Sequence, residues 1–535
     1  MLVRIGLLGV TRRFPVLARN VSAIGPYRRR HVVAARGTGA AASTAGNRRQ
    51  QQRAAHRFAA ADGNDDDGSS SDSESDSDDD DEDDGPREPW NTEMDDDQFA
   101  FMRDILAAPS PVGFEAAMTR GVLEPAFDRV VADGGEGCAG WGTRFWAGNA
   151  SVALDTAPDD DSGKLKVMVC GHSDKIRMQV RHVASDGKVY IDSDSFLPLT
   201  LIGNEVVCFA RTPPPPAEKE DKKGKKGKSK GKRKGSSPKS DFSPSAFTRI
   251  EGGTVEALGA IHFAPASFRT GGAGIKPGSL YLELGLHGKK RKEQVEALGI
   301  QPGDPVLLDR PIKRSKVSPL AFSGAYLDNG LGCFVAAEVA RLLADHVRDE
   351  RGGAPLEHVR CMFAAASHEE IGRFGSRVLA ADLKPDVLVA VDVNHDYSAA
   401  PGKPPSSAPP LAMGKGVTIT GGSVTSSQLN GMIQGACEAR GIPFQLDTSG
   451  RDTGTDAMAG VLGNVDAAAT SLGFPIRNMH TVSETGHTGD VLAAAHAVFE
   501  LVKRLEADGT TRADFVEGHA RLDAAAPVDR NEADD

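Results

Sequence analysis

Three short apolar runs in the chain have the length and the uniform hydrophobicity of strands that are buried on both faces. They are KVMVCG, VRCMFAAA and DVLVAVDV, at residues 166–171, 359–366 and 386–393. Continuous apolar runs of this length are typical of parallel strands covered by helices. We therefore expect these three segments to lie in a parallel part of one sheet.

Two other segments have helical periodicity. In 331–347 the apolar residues Leu331, Val335 and Val339 recur every fourth position, and 491–505 has a similar apolar face. This spacing places apolar side chains on one side of a helix. Strands that alternate with helices predict an α/β fold.

The segment between the first strand and the first helix differs from both. It contains short alternating strands, punctuated by glycine and proline pairs, at residues 188–191, 205–210 and 280–284. That composition is β-rich. We predict a β domain inserted between two halves of an α/β domain, followed by a tail; the expected bounds are 95–180, 181–315, 316–508 and 509–535.

The composition indicates three segments that are too polar to form a hydrophobic core. The chain has 535 residues, which predicts two or more domains, but only 39% are hydrophobic and 5% aromatic. Residues 1–61 hold twelve Arg and no acid, which predicts an organelle transit peptide for a mitochondrion or chloroplast. If the segment is instead a disordered basic arm, we expect a cytoplasmic protein.

The other two segments without a hydrophobic core are an acidic linker and a Lys-rich insertion. Residues 62–84 hold fourteen acids and no base, so we predict a disordered linker at 62–94. The stretch 212–245 is rich in Pro, Lys and Gly and is interpreted as a disordered surface insertion, with a docking arm for anionic partners as the alternative.

Charge and cysteine usage exclude several classes of protein. The net charge is −11, and the part outside the two basic segments and the acidic one is itself acidic; we therefore expect no nucleic-acid partner. No apolar run reaches the length of a membrane span, so we expect no membrane association. The six cysteines are scattered without a C-x-x-C pair, which argues against a disulfide scaffold or a cysteine-built zinc site.

Acidic and histidine residues follow the predicted strands. In an open α/β sheet, ligands bind at the carboxyl ends of the strands, and histidines with carboxylates suit a hydrolytic divalent metal site. We expect these residues to converge; they are His172, Asp174, Asp328, Glu369, Glu370, Asp392 and His480.

The spacing suggests how the residues divide the work. In His172-x-Asp174 both side chains point the same way from an extended chain, so the carboxylate can orient the imidazole. Adjacent Glu369 and Glu370 can separate metal binding from proton transfer. Each feature alone has a plainer reading: a core histidine, a solvated glutamate pair, or Asp328 as a helix N-cap.

The motifs resemble those of the glutamyl/tetrahedral aminopeptidase family of dinuclear metallopeptidases, some formerly described as endoglucanases. The resemblance covers roughly residues 95–508 and rests on GHSDKI, LDNGLGC, SHEEIGRFGS, VAVDV, GTDA and NMHTVSE in that order. It implies a mixed-sheet α/β catalytic domain with an inserted β-rich dimerisation domain. It also implies a dimer-based homo-oligomer, in many members a dodecamer, that acts on peptides.

The resemblance also implies a role for each candidate residue. His172, Asp328 and Asp392 would bind one of two divalent metal ions, zinc or cobalt. Asp328 would bridge to the second ion, which Glu370 and His480 would complete. In this scheme Glu369 is the general base and Asp174 supports His172. The implied activity is removal of N-terminal residues from peptides by metal-activated water.

Two departures from the family pattern bear on substrate preference. Lys175 stands where the family usually has Glu, and Gly330 stands where it often has Arg. GHSDKIRMQV and DSDSFLPLTLIG resemble a subgroup linked to the osmoprotectant N-acetylglutaminylglutamine amide, which implies an amidohydrolase for a small blocked dipeptide as the alternative. A non-catalytic oligomeric scaffold is the alternative from another class of protein.

Overall fold

The computed structural model describes residues 87–159, 163–193, 195–212, 247–257, 263, 265–266, 275–398 and 411–517. All of them belong to one compact unit. The predicted transit peptide lies outside the described residues, and so do most of the acidic linker, the Lys-rich insertion and the end of the tail.

Seventeen strands are formed by the described residues. In chain order they are β1 (Gly142–Trp146), β2 (Ser151–Asp155), β3 (Leu165–His172), β4 (Met178–Val183), β5 (Val189–Ser193), β6 (Glu205–Arg211), β7 (Phe247–Glu256), β8 (Tyr281–Glu283), β9 (Pro305–Leu308), β10 (Lys313–Arg314), β11 (Ala321–Gly324), β12 (Val359–Ala366), β13 (Val387–His395), β14 (Val417–Gly422), β15 (Phe444–Ser449), β16 (Ala468–Ile476) and β17 (Glu484–His487).

The helices are distributed around these strands. In chain order they are α1 (Asp96–Ala107), α2 (Ala116–Met118), α3 (Glu124–Asp133), α4 (Pro198–Leu201), α5 (Arg291–Ala297), α6 (Leu327–Asp345), α7 (Phe374–Leu383), α8 (Ser427–Arg440), α9 (Ala459–Leu462), α10 (Thr488–Ala507) and α11 (Arg512–Glu517).

A mixed sheet of eight strands forms the centre of the molecule, in the order β1-β2-β12-β3-β13-β16-β14-β15. The four inner strands β12, β3, β13 and β16 are mutually parallel, so their carboxyl ends lie at one edge. The three apolar runs form β3, β12 and β13, which confirms the prediction of a parallel part. The predicted α/β fold with a mixed sheet is confirmed.

Two long buried helices cover one face of the sheet. In α6 the apolar residues at four-residue spacing, Leu331, Val335 and Val339, are fully buried. The helix begins at Leu327, earlier than its periodicity indicates, and its first turn is kinked, with non-helical geometry at Asp328 and Asn329. The carboxylate of Glu506 in α10 accepts hydrogen bonds from the backbone of Glu357, His358 and Val359, which fixes that helix to the start of β12.

A closed barrel follows β3 in the chain, with strand order β4-β5-β8-β7-β6-β9. It has a hydrophobic core of its own. All its strands lie between residues 178 and 308, and the chain then returns through β10 and β11 to α6. No helix among the described residues is long and apolar enough to cross a membrane.

Candidate metal centre

The candidate residues come from five places at the carboxyl edge of the parallel strands. β3 ends on one histidine, β13 contains one aspartate, the loop after β12 carries the glutamate pair, the first turn of α6 carries the second aspartate, and the loop after β16 carries the second histidine. In that order they are His172, Asp392, Glu369 and Glu370, Asp328, and His480.

Two groups of potential ligands share Asp328. The first consists of His172, Asp328 and Asp392, and the second of Asp328, Glu370 and His480. Within each group the ligand atoms all lie within 4.8 Å of one another. The His172 Nε2 atom is 3.1 Å from Asp328 Oδ1, and the His480 Nε2 atom is 2.9 Å from Asp328 Oδ2. One carboxylate therefore faces both histidines, one oxygen to each.

A hydrogen bond to the backbone fixes the tautomer of His172. Its Nδ1 atom lies 3.1 Å from the carbonyl oxygen of Asp174, which only accepts, so Nδ1 is the donor. The Nε2 lone pair is then available to a metal ion. Nε2 also lies 3.8 Å from Asp392 Oδ1 and 3.9 Å from Glu369 Oε2.

Unpartnered oxygens show that these residues fit a cation. Asp328 Oδ1 and Glu370 Oε1 are buried and have no hydrogen bond of good geometry; an imidazole nitrogen lies 3.1 Å from the first and 3.9 Å from the second. Burying a carboxylate oxygen without a partner is costly. Carboxylate oxygens and imidazole nitrogens are suitable ligands for divalent transition metals, so the orphaned atoms and the donor set both fit such ions.

The ionisation of Asp328 also indicates a site for positive charge. Burial opposes ionisation of Asp328, but the facing imidazoles of His172 and His480 outweigh it and lower the pKa of the carboxyl. The hydrogen bond with Asp328 raises the pKa of His480 to about 9. Without a metal ion, then, protonated histidines supply the positive charge that Asp328 requires.

The remaining carboxylates cannot all ionise together in a buried site. Burial raises the pKa of Glu369 to about 7 and that of Glu370 to about 8, with Asp328 adding to both. Burial also raises the pKa of Asp392 well above its usual range. Crowded carboxylates of this kind hold protons unless a cation compensates their charge.

Asp174 does more than the sequence indicates. Its Oδ1 atom lies 3.6 Å from His172 Nδ1, beyond hydrogen-bond distance. The carboxylate instead accepts from the backbone N–H of Glu369 at 2.9 Å and of Glu370 at 3.1 Å. The two sides of the site are thereby joined: the carbonyl of Asp174 orients His172, and its side chain orients the glutamate pair.

Two further carboxylates at the site have no role assigned from the sequence. Glu484, which is buried, accepts from the N–H of Leu327 at 2.6 Å and of His480 at 2.7 Å. Its position four residues after His480 is visible in the sequence. The carboxylate of Asp456, from the GTDA piece, accepts from Ser376 Oγ, and burial raises its pKa to about 6.

Two long-range contacts between acidic and basic side chains involve the loops that flank the glutamates. Glu115, which is buried, lies 3.2 Å from His368 Nδ1. Arg373 forms a two-pronged salt bridge with Asp452, at 2.6 and 2.9 Å, and its Nε lies 3.9 Å from Glu369 Oε1. No spacing in the sequence indicates these long-range pairs.

Lys175 points away from the candidate metal centre. Its Nζ donates to the carbonyl oxygens of Leu106 and Ala108 at the end of α1, and the side chain is buried. From the sequence, this departure from the family pattern is expected to bear on substrate preference. The ammonium group has no direct path to a substrate at the metal centre, because it is bound to the end of the helix.

The sequence is similar to known proteins over much of its length. Residues 245–496 match the model of the M42 glutamyl aminopeptidase family. Lysyl aminopeptidase from Pyrococcus furiosus is 26% identical over 345 residues, which are 64% of this chain and 83% of that protein. The M42 peptidases are metal-dependent.

Solved structures share the fold. A TET aminopeptidase from the archaeon Thaumarchaeota archaeon SCGC AB-539-E09 is 19% identical, with a TM-score of 0.60, over 80% of this chain and 100% of that one. The TET1 peptidase of Pyrococcus horikoshii is 17% identical, with a TM-score of 0.53, over 76% of this chain and 98% of that one. These similarities confirm the resemblance predicted from the motifs, and the chain is a hydrolase that acts on peptide bonds.

Proposed function

We propose that the protein removes N-terminal residues from peptides with two divalent metal ions, zinc or cobalt, at the candidate metal centre. The observation that carries the proposal is the sharing of Asp328 by two groups of ligands. His172, Asp328 and Asp392 would hold one ion, and Asp328, Glu370 and His480 the other. Bound ions of this kind activate water and polarise the peptide carbonyl.

We propose Glu369 as the general base. It belongs to neither group of ligands, yet its Oε2 atom lies 3.9 Å from His172 Nε2. The Asp174 side chain fixes its backbone, and the carboxylate is largely buried. In this position Glu369 would accept a proton from the attacking water and deliver it to the leaving amine.

Metal removal tests the whole proposal. Purified protein should hydrolyse aminoacyl amides, lose that activity in chelator and regain it with zinc or cobalt. Metal analysis should find about two ions per chain. A panel of free and N-blocked dipeptides distinguishes the aminopeptidase from the amidohydrolase alternative. Hydrolysis of the blocked peptides alone would replace our proposal by that alternative.

Glu369→Gln tests the base. The amide keeps the size of the side chain but cannot accept a proton, so kcat should fall by about 10²–10⁴-fold. Metal content should stay at the wild-type level. Glu357→Gln changes an exposed glutamate and should leave kcat and metal content unchanged. Wild-type turnover by Glu369→Gln would refute the assignment.

We further propose a homo-oligomer assembled from dimers through the barrel. The barrel exposes Leu197, just before α4, and Leu199, within α4, each 70% accessible, which is unusual for two leucines so close together. The TET1 peptidase of P. horikoshii, which shares the fold, can assemble into a tetrahedron or a large octahedral shell.

We propose organelle import for the arginine-rich segment 1–61, on composition alone. A fusion of residues 1–61 to a fluorescent protein should accumulate in a mitochondrion or a plastid. A diffuse cytoplasmic signal would refute the proposal.

A further inference from the structure

A buried lysine joins the two chain connections between the mixed sheet and the barrel. The outgoing connection runs from His172 to β4 and contains Lys175, and the returning connection ends at α6 and contains Tyr326. The Lys175 ammonium lies 5.6 Å from the centre of the Tyr326 ring. The outgoing connection begins at His172 and the returning connection leads into the helix that contains Asp328, so this contact joins the chain segments next to two of the proposed ligands.

Lys175 has the contacts of a fixed structural cation. Its Nζ donates to Leu106 at 2.7 Å and to Ala108, where the negative end of the α1 dipole attracts a positive charge. Its backbone N–H donates to Ser110, and its carbonyl accepts from Val112. Among the described residues no carboxylate forms an ion pair with it. Burial lowers the pKa of the Lys175 ammonium to about 7, and the helix carbonyls and the aromatic face oppose this loss of charge.

Tyr326 needs support because of its backbone conformation. Its φ is 66°, in the left-handed region that bulky residues rarely adopt. The ring packs edge-on against Phe196, and the hydroxyl accepts from the N–H of Leu308 at 2.8 Å. Asp328 follows only two residues later, so the placement of Tyr326 fixes the direction in which the chain enters the bridging aspartate.

We propose that Lys175 is a positioning residue that sets the distance between His172 and Asp328 by clamping Tyr326 to the outgoing connection. The inference rests on the proposed function, because it assigns a purpose to a residue behind that metal centre. Lys175 would act on the metal ligands through the chain and not on the substrate. The presence of lysine where the family usually has glutamate fits this arrangement, since a carboxylate would face two carbonyl oxygens and be repelled.

The experiment measures metal affinity, by competition with a chromogenic zinc chelator, alongside kcat and KM. Lys175→Met keeps the length of the side chain and removes the charge. We expect the zinc affinity to fall by about 10-fold or more, as for other residues that orient metal ligands. We expect kcat to fall with it, while KM stays within about twofold because the substrate contacts are intact.

Lys188→Met is the matched control. Lys188 also lies over a tyrosine ring, 5.3 Å from the centre of Tyr281, but on the exposed surface of the barrel. Its substitution should change neither zinc affinity nor kcat. Equal losses in both lysine variants would overturn the proposal, because they would reflect a general loss of barrel stability.

Two tyrosine variants test the clamp from its other side, and keep the inference testable if Lys175→Met does not fold. Tyr326→Leu should weaken zinc binding, whereas Tyr326→Phe, which keeps the aromatic face, should retain most of it. The double variant Lys175→Met with Tyr326→Leu should lose no more affinity than the weaker-binding single variant. Additive losses would overturn the inference.

The result for the wild-type protein separates the two proposals. If it binds no divalent ion, the proposed function is wrong and this inference falls with it. If it binds zinc and Lys175→Met or, where that variant does not fold, Tyr326→Leu binds zinc equally well, the positioning role alone is wrong.

Discussion

At the scale of single residues, two buried carboxylates near the metal centre accept hydrogen bonds from backbone N–H groups and are not among the proposed metal ligands. Asp174 accepts from Glu369 and Glu370, and Glu484 accepts from His480 and Leu327. Charged acceptors bind backbone donors more strongly than neutral ones do. Each carboxylate therefore fixes the loop or the helix start that supplies a proposed ligand.

Asp490 gives a prediction about pH. Burial raises its pKa to about 7, against hydrogen bonds from the N–H groups of Gly414 and Gly416. In the unfolded chain an aspartate titrates near 4. The folded state therefore binds the proton more tightly than the unfolded state. The stabilisation of the fold by this proton is complete below about pH 4 and is lost as the pH rises through about 7. Between pH 5 and pH 8 the loss amounts to about 2–3 kcal/mol.

Asp490→Asn removes the titration. Urea unfolding in the presence of chelator gives the free energy of unfolding of each protein. The wild-type value minus the variant value should be larger at pH 5 than at pH 8 by about 2–3 kcal/mol. Chelator keeps pH-dependent metal binding out of the comparison. A difference between the two proteins that is the same at both pH values would contradict the prediction.

Sequence reasoning reached the strand-borne candidates because strand ends are readable from apolar runs. His172 ends β3 and Asp392 lies near the end of β13, so a parallel sheet brings them to one edge. The contacts made by the loops could not be predicted from the sequence. His368 and Arg373 have φ of 58° and His480 has φ of 59°, a conformation that so few residues other than glycine adopt that the sequence does not predict it.

At the scale of elements, the proposed centre depends on how closely α6 approaches the end of β3. Gly171 lies against the backbone of Gly332 and Cys333, and a Cβ on Gly171 would overlap both. Cys333 Sγ also donates to the carbonyl oxygen of His172 at 3.1 Å. The contact between strand and helix is therefore a second constraint on the separation of His172 and Asp328, beside the contact of Lys175 with Tyr326.

Gly171→Ala should force β3 and α6 apart and weaken zinc binding by about 10-fold or more, with a loss of stability of about 1–3 kcal/mol from overpacking. Gly431→Ala, in α8, is the control. A Cβ there meets nothing within 4 Å, so this variant should gain up to about 1 kcal/mol in helix stability with unchanged zinc affinity. Chelator competition and urea unfolding measure both quantities. Wild-type zinc affinity in Gly171→Ala would contradict this account of the strand and helix contact.

At the scale of the whole molecule, the sheet and the barrel divide the work. The sheet carries the candidate metal centre at one edge, whereas the barrel has a separate hydrophobic core and supplies no proposed ligand. The order of these parts was readable from the change between continuous and alternating apolar patterns. The closure of the barrel was not, because it depends on pairing between strands as distant in the chain as β4 and β9.

The barrel surface makes the proposed oligomer testable. If Leu197 and Leu199 lie in a contact between two copies, replacing both with Asp would bury two charges against an apolar partner, and desolvation opposes that. Light scattering should show an assembly of several chains for the wild type and a smaller species for the double variant. The far-ultraviolet circular dichroism should be unchanged, since both side chains are exposed. Val317→Asp is the control, because Val317 is 95% accessible and lies outside the barrel. The assembly formed by this variant should have the same mass as that of the wild type. A monomeric wild type would refute the oligomer, and an unchanged mass for the double variant would place the contact elsewhere.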